Sequence, residues 1–271
     1  MALLRSVLHM AWMLLTVIPW ALALLLASLW LKRTPLWWMA VNWFRLVVWG
    51  SRVFLGIKVQ VQGLENLPQG AKSPAILLSK HQSTLETLLL PTLMPRPLAF
   101  VFKRELLKIP FFGWSMARLD MIHIDRESRA LAMKHVIAQG ARLLEQGSWV
   151  IMFPEGTRMA RGERGTYQTA GSRLAVDTGA PIVPTAVTSG TCWPRTGFVK
   201  FPGTVQVSIG PAIPSAGRDP KALMREVEAW IETEMRRLDP TAYGEPLAAL
   251  SDPVPVPVPV PASAPMPPPG A

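Results

Sequence analysis

Acidic residues are missing from the first quarter of this 271-residue chain: no Asp or Glu occurs before Glu65. Cysteine is almost absent too. The single Cys192 excludes an intrachain disulfide framework and any thiolate cluster for zinc or iron–sulfur. Only four histidines occur (His9, His81, His123 and His135), and none falls in a His-Glu-x-x-His pair, which removes the zincins. Gly-x-Ser-x-Gly, Gly-x-Gly-x-x-Gly and the Walker phosphate loop are lacking. No metal site is expected. Charged residues are few, 17% of the chain, where an average domain has about 25%. The net charge is nevertheless +10 and the mean hydropathy +0.24, so the chain is both basic and apolar.

The first 64 residues carry much of that imbalance. Arg5, Lys32, Arg33, Arg45, Arg52 and Lys58 fall there without a counter-charge, together with seven of the 11 tryptophans. Met10 to Leu31 is a run of 22 uncharged residues, long enough as a helix to cross a hydrocarbon core of ~30 Å. Lys32 and Arg33 follow at once, as at the cytoplasmic exit of a membrane helix. A cleaved leader is disfavoured, because the apolar run exceeds the usual ~7–15 residues and the Ala21-Leu22-Ala23 site lies inside it. Spanning the bilayer and entering and leaving on one side both stand, since Pro19 can bend the helix. The Trp-rich segment 35–57, interrupted by Arg45 and Arg52, suits an interfacial helix. At the other end, nine prolines in the last 21 residues predict a polyproline or disordered tail, either passive or a ligand for a proline-recognising partner.

Between residues 57 and 238 the pattern is α/β. Segments 57–62, 74–79, 98–102, 121–124, 149–153, 182–188 and 204–209 read as strands. Ala130, Met133, Ile137, Ala141 and Leu144 share a helical face closed by Gly147, and Asp219-Pro220 opens a second helix with an apolar stripe at Leu223, Val227, Trp230, Ile231 and Leu238. Alternation of this kind predicts a sheet covered by helices. Four strands are followed by polar groups: Lys80-His81, Lys103-Arg104, Asp125-Arg126 and Pro154-Glu155-Gly156-Thr157-Arg158. Ligands of open α/β sheets bind beyond the carboxyl ends of strands. If these four strands are parallel neighbours, one rim gathers a histidine, acids and cations suited to an anionic substrate.

His81 precedes Glu86 by five residues, about 140° apart on a continuous helix, so the pair meets only if His81 lies on the loop before it. Ser83 and Glu86 also fit a capping box, and spacing does not choose between a capping and a catalytic acid. A histidine steered by a carboxylate is a general base. Without a serine or cysteine elbow, its nucleophile is a substrate hydroxyl, or water in a hydrolase. In Phe153–Arg158, proline ends the strand, glycine lets amides approach an anion and arginine offers a planar fork for phosphate.

The segments SKHQSTLE (79–86), FKRELLKIPFFGW (102–114) with MIHIDR (121–126), FPEGTR (153–158) and APIVPTAV (180–187) follow in order between residues 79 and 187. On these the chain resembles the 1-acylglycerol-3-phosphate acyltransferase family. The resemblance implies a glycerolipid acyltransferase-like fold: a mixed, largely parallel sheet covered by helices, with a membrane-associated helical segment at the amino end. The implied organisation is an anchor over 1–57, an acyltransferase domain over 58–240 and a proline-rich tail over 241–271. It implies catalytic roles for His81 and Glu86, and an acceptor phosphate site at Lys103, Arg126, Glu155, Gly156, Thr157 and Arg158. The donor would be acyl-CoA or acyl carrier protein as co-substrate, with no cofactor. The implied partners are membrane lipids and a lysophospholipid acceptor rather than nucleic acid, at the cytoplasmic face of the inner membrane. The chain departs from the family at Glu86, where aspartate is usual, and at Asp120 to His123, where a glycine is usual before the Ile-Asp-Arg. It departs again at Tyr167-Gln168-Thr169, where relatives often carry lysine. Another lyso-lipid acceptor, a membrane lipid hydrolase and a non-enzymatic lipid-binding protein are the competing readings.

Overall fold

The computed structural model describes residues 1–70, 73–124 and 129–243; Arg126 and the tail from residue 244 onward lie outside the described residues. Strands β1 (Ile57–Gln62), β2 (Ile76–Ser79), β3 (Leu98–Lys103), β4 (Ile122–Ile124), β5 (Trp149–Met152), β6 (Ile182–Val187) and β7 (Gly203–Ile209) form one sheet in the order β1-β7-β6-β2-β5-β3-β4. Every neighbouring pair is parallel except β6–β7. The central strands β2, β5 and β6 are buried at every position, as expected of parallel strands covered on both faces. At the edge, β1 alternates, turning Lys58, Gln60 and Gln62 to solvent, which also protects an open edge from pairing.

The pleat sends successive side chains to two cores. On one face, Leu77, Ile151 and Val183 meet helices α2 (Arg33–Gly50) and α3 (Leu85–Leu93) through Trp37, Val41, Phe44, Val47 and Leu89. On the other, Ile76, Leu78, Val150 and Ile182 meet α5 (Arg129–Glu145), α6 (Ala170–Thr178) and α7 (Pro220–Leu238). Asp219 caps α7 by accepting from the Ala222 amide at 2.8 Å, with Pro220 in the first turn, and Leu223, Val227 and Ile231 are buried. The short α4 (Phe112–Met116) and α8 (Pro240–Tyr243) complete the chain.

The amino end differs from its sequence reading. Helix α1 runs from Ala2 to Ala27, earlier than the uncharged stretch suggests, and continues through Pro19. Lys32 Nζ donates to Ser28 O at 2.5 Å just past its end, a cation placed where free carbonyls accumulate. Segment 35–57, expected as an interfacial helix, is instead largely a core element: α2 followed by a π-turn at Ser51–Leu55, with Trp37, Val41, Trp43, Phe44 and Val47 in the sheet-facing core. Residues on both sides of position 57 share that core.

Helix α1 lies along α2. Trp20 Nε1 donates to Met39 O (2.9 Å), Trp43 Nε1 to Thr16 Oγ1 (3.2 Å), and His9 Nε2 and Ser51 Oγ are 3.0 Å apart. Its opposite side shows Leu4, Leu8, Leu15, Leu22 and Leu26 to the exterior.

Candidate functional site

Strands β2, β5, β3 and β4 are consecutive and parallel, so their carboxyl ends gather on one edge. His81, the 154–158 turn and Lys103 lie on that edge, while Asp125 and Arg126 fall outside the described residues.

His81 follows β2 on a loop, before α3 begins. Its ring stacks on Phe153, with centroids 3.9 Å apart and planes 16° from parallel. Nδ1 is 3.8 Å from Glu86 Oε2 and has no hydrogen-bond partner among the described residues. The Glu86 carboxylate is fully buried. It accepts from Gln82 N at 2.7 Å, Ser83 N at 2.9 Å, Ser83 Oγ at 3.1 Å and Ser189 Oγ at 2.5 Å. Ser83 Oγ in turn accepts from Leu85 N at 2.9 Å, which completes a reciprocal cap. The cap holds the carboxylate beside the imidazole. Glutamate suits this geometry because its extra methylene carries the carboxylate back over the first turn.

In the 154–158 turn, Gly156 adopts φ +68°, where a side chain is strained, and donates to Phe153 O at 2.9 Å. Thr157 is exposed. Arg158 Nη1 donates to Thr84 Oγ1 at 3.1 Å, so the first and third sequence blocks meet at the start of α3. Lys103 is exposed at the end of β3, with β5 between it and the His81 strand.

Two residues expected on the cationic rim are elsewhere. Lys80 is completely buried, its Nζ 2.7 Å from Glu155 Oε1 and 2.8 Å from Glu232 Oε1. Glu155, expected at the acceptor phosphate, is buried with its carboxylate turned inward, accepting also from Gly165 N and from His81 N. A carboxylate so engaged repels an anion and braces the loop instead. Tyr167 donates to Glu232 Oε1 at 2.8 Å. Burial, then the Glu232 and Glu155 charges, push its phenol far above the ordinary range, so it stays a donor. Glu232, Tyr167, Tyr243 and Ser189 were not legible as site residues, because their partners are distant in sequence.

An apolar cavity of about 150 Å³ lies between α1, α2, β3 and the 106–121 segment. Trp20, Leu24, Trp43, Phe100, Phe112 and Met121 line it, and Thr87 and Leu88 place it one residue from Glu86. Among the described residues no group of three or more His, Cys, Asp or Glu is arranged to hold a metal ion.

An acyltransferase family model matches residues 58–188. The chain is 46% identical to the 1-acyl-sn-glycerol-3-phosphate acyltransferase of Pseudomonas aeruginosa over 202 residues, 73% of this chain and 77% of that one. With the human 1-acyl-sn-glycerol-3-phosphate acyltransferase beta it shares 30% identity over 178 residues, 65% of this chain but 62% of that enzyme's length. The crystal structure of the 1-acyl-sn-glycerophosphate (LPA) acyltransferase PlsC from Thermotoga maritima superposes with a TM-score of 0.73 at 22% identity, covering 88% of this chain and 96% of that one. At that identity the superposition speaks for the fold.

Proposed function

This chain belongs to the 1-acyl-sn-glycerol-3-phosphate acyltransferase family, and on that premise we propose that it moves a fatty acyl group from an acyl thioester to the free sn-2 hydroxyl of 1-acylglycerol-3-phosphate, giving phosphatidic acid. The observation that carries the reading is the buried Glu86 carboxylate beside the largely buried His81 ring, with Arg158 tied to the same helix start.

His81 takes the acceptor hydroxyl proton as the oxygen attacks the thioester carbonyl. Glu86 orients the ring through Nδ1–H and stabilises the imidazolium. The carbon–sulfur bond breaks, and His81 returns the proton to the departing thiolate. Atoms and charge balance without a further cofactor; acyl-CoA or acyl carrier protein serves as donor. Arg158 and Lys103 hold the acceptor phosphate, with the Gly156-Thr157 turn beside them, and this contributes positioning. Arg126 is assigned the same role from its sequence block alone. The apolar cavity beside Thr87 accepts an acyl chain.

The enzyme works at a lipid surface. Helix α1 is long and apolar enough to cross a membrane, yet it is tied to α2 at Thr16 and Trp20 and to the π-turn after it at His9. A helix bound along its length to the catalytic body lies in one leaflet, with its exposed leucines among acyl chains. Phe198 and Phe201, both exposed, sit in a loop whose Lys200 amide donates to Ser6 Oγ at 2.8 Å, adding apolar surface at the amino end of α1. Soluble donors place the active site at the cytoplasmic face of the inner membrane, with the uncompensated cations of residues 1–64 matched to anionic lipid.

The test is a detergent-solubilised preparation given labelled acyl thioester and lysophosphatidic acid. Wild type is expected to form phosphatidic acid and His81→Ala almost none. Free fatty acid as the main product would make the enzyme a hydrolase. A preference for lyso-lipids without a phosphomonoester would overturn the acceptor assignment.

A further inference from the structure

Behind the site lies a buried ionic cluster that takes no direct part in the chemistry. Lys80 Nζ donates to Glu155 Oε1 (2.7 Å), Glu232 Oε1 (2.8 Å) and Glu163 O (2.9 Å), which uses all three ammonium protons. Tyr167 donates to the same Glu232 oxygen. The Lys80 ammonium also stands 5.9 Å from the centre of the Tyr243 ring, whose hydroxyl accepts from Gln82 Nε2 at 2.9 Å. Glu232 belongs to α7 and Tyr243 to α8. The cluster thus joins the carboxyl-terminal helices to the loop that carries His81.

Glu155 is its pivot. While Oε1 takes Lys80, Oε2 accepts the backbone N–H of His81 at 3.2 Å. Four residues on, Met159 N donates to His81 O at 2.7 Å. The peptide groups on both sides of the His81 side chain are held by the 155–159 segment, and that segment is held by Lys80 and Glu232.

Stability alone is a poor explanation for such a cluster. One ammonium faces two buried carboxylates, and Glu232 Oε2 has no hydrogen-bond partner among the described residues. Burying unequal charge costs more than burying apolar side chains of the same volume. What the charges provide is a directional lock, because each bond admits one arrangement of the loop.

We propose that Lys80 and Glu232 are positioning residues, which set the His81 imidazole through Glu155 and make the rate depend on the seating of α7. This rests on the general-base reading of His81. Misplacing a catalytic group by about 1 Å can cost on the order of 10²-fold in rate, so a lock of this kind is read in kcat.

The experiment compares Lys80→Met, Glu232→Ala, Glu232→Gln, the Lys80→Met/Glu232→Ala double variant and His81→Ala, each as full-length enzyme in detergent with activity normalised to folded protein. Lys80→Met and Glu232→Ala are expected to lower kcat roughly 10- to 100-fold, with KM for lysophosphatidic acid within about twofold. Glu232→Gln, whose amide oxygen still accepts from Lys80 and Tyr167, recovers most of the loss. Because Glu232 acts through Lys80, the double variant is no slower than Lys80→Met. Multiplicative losses, an unchanged kcat or a rise in KM alone would overturn the proposal. If Lys80→Met does not fold, the Glu232 pair decides: recovery in Gln supports the lock, and equal activity in Ala and Gln refutes it. His81→Ala separates the two levels. Activity surviving in that variant removes the base assignment, whereas an inactive His81→Ala beside fully active Lys80 and Glu232 variants removes only the positioning role.

Discussion

His81 Nδ1 stands 3.8 Å from Glu86 Oε2, beyond hydrogen-bond length, while the same carboxylate is fastened by donors from Gln82, Ser83 and Ser189. The carboxylate is therefore fastened by its own donors, whereas the imidazole is held by stacking on Phe153 and by its backbone. Catalytic hydrogen bonds are often long without substrate and tighten in the complex. Under the proposed general-base role of His81, a carboxylate already oriented by the helix start needs no reorganisation when the ring is protonated.

Glu86→Gln separates capping from charge. The amide keeps one acceptor but turns an NH2 toward the Gln82 and Ser83 donors and removes the counter-charge. The expected result is a fall in kcat of about 10²–10³-fold. Glu86→Asp is expected to lower activity as well, because the shorter side chain falls short of the loop amides; the stability loss is about 1–3 kcal/mol. Steady-state kinetics and thermal melts in detergent check both.

Arg158→Ala is expected to raise KM for lysophosphatidic acid more than tenfold, roughly the worth of a charge-assisted phosphate contact, with little change in the thioester KM. Arg158→Lys recovers part of the loss, since an ammonium lacks the planar fork. A rise confined to the thioester KM would place the phosphate elsewhere.

Gly156→Ala tests the turn itself. At φ +68° a side chain is strained, and a Cβ there meets no atom within 4 Å, so the cost is backbone alone, about 1–2 kcal/mol. The expected outcome is a lower Tm together with weaker acceptor binding, read by melting and by KM.

Asp239 gives the fold a pH dependence. Burial alone would raise its pKa, but the Arg161 hydrogen bonds (2.7 and 2.6 Å), with a further one from Thr241, hold it below the ordinary carboxylate range. A depressed pKa contributes stability that is fully present above the unfolded value and is lost as pH falls through the folded one. Asp239→Asn is therefore expected to lower Tm at neutral pH, with the gap from wild type closing below about pH 4. Melting curves across pH 7 to 3 report the convergence.

The proposed lipid contact of α1 is tested by Leu15→Glu/Leu22→Glu. Both leucines are exposed, so the catalytic domain is expected to fold unchanged while binding to anionic vesicles falls at least tenfold; charges in an interfacial helix forfeit its apolar burial. Vesicle co-sedimentation measures it, and unchanged partitioning would move the membrane contact to another face.

Much was readable locally. The seven strands, the cap at Asp219 and the loop position of His81 follow from apolar runs, turn residues and short-range hydrogen bonding, whose range is a few residues. The order of the family blocks along the chain carried the family resemblance in the same way. Composition was less informative for α2, because tryptophan and valine suit a lipid interface and a protein core equally; packing against α3 and the sheet decided it.

The sequence by itself determined an apolar, uncompensated basic amino end, an α/β domain and the histidine–acid–arginine set on its strand ends. Only the tertiary structure decided that β2, β5, β3 and β4 stand side by side, that Glu155 faces inward, and that Lys80 is paired rather than exposed. The reason is distance along the chain. Lys80 meets Glu155 and Glu232 at separations of 75 and 152 residues, and no local pattern encodes contacts that exist only once the sheet has brought its strands and helices together.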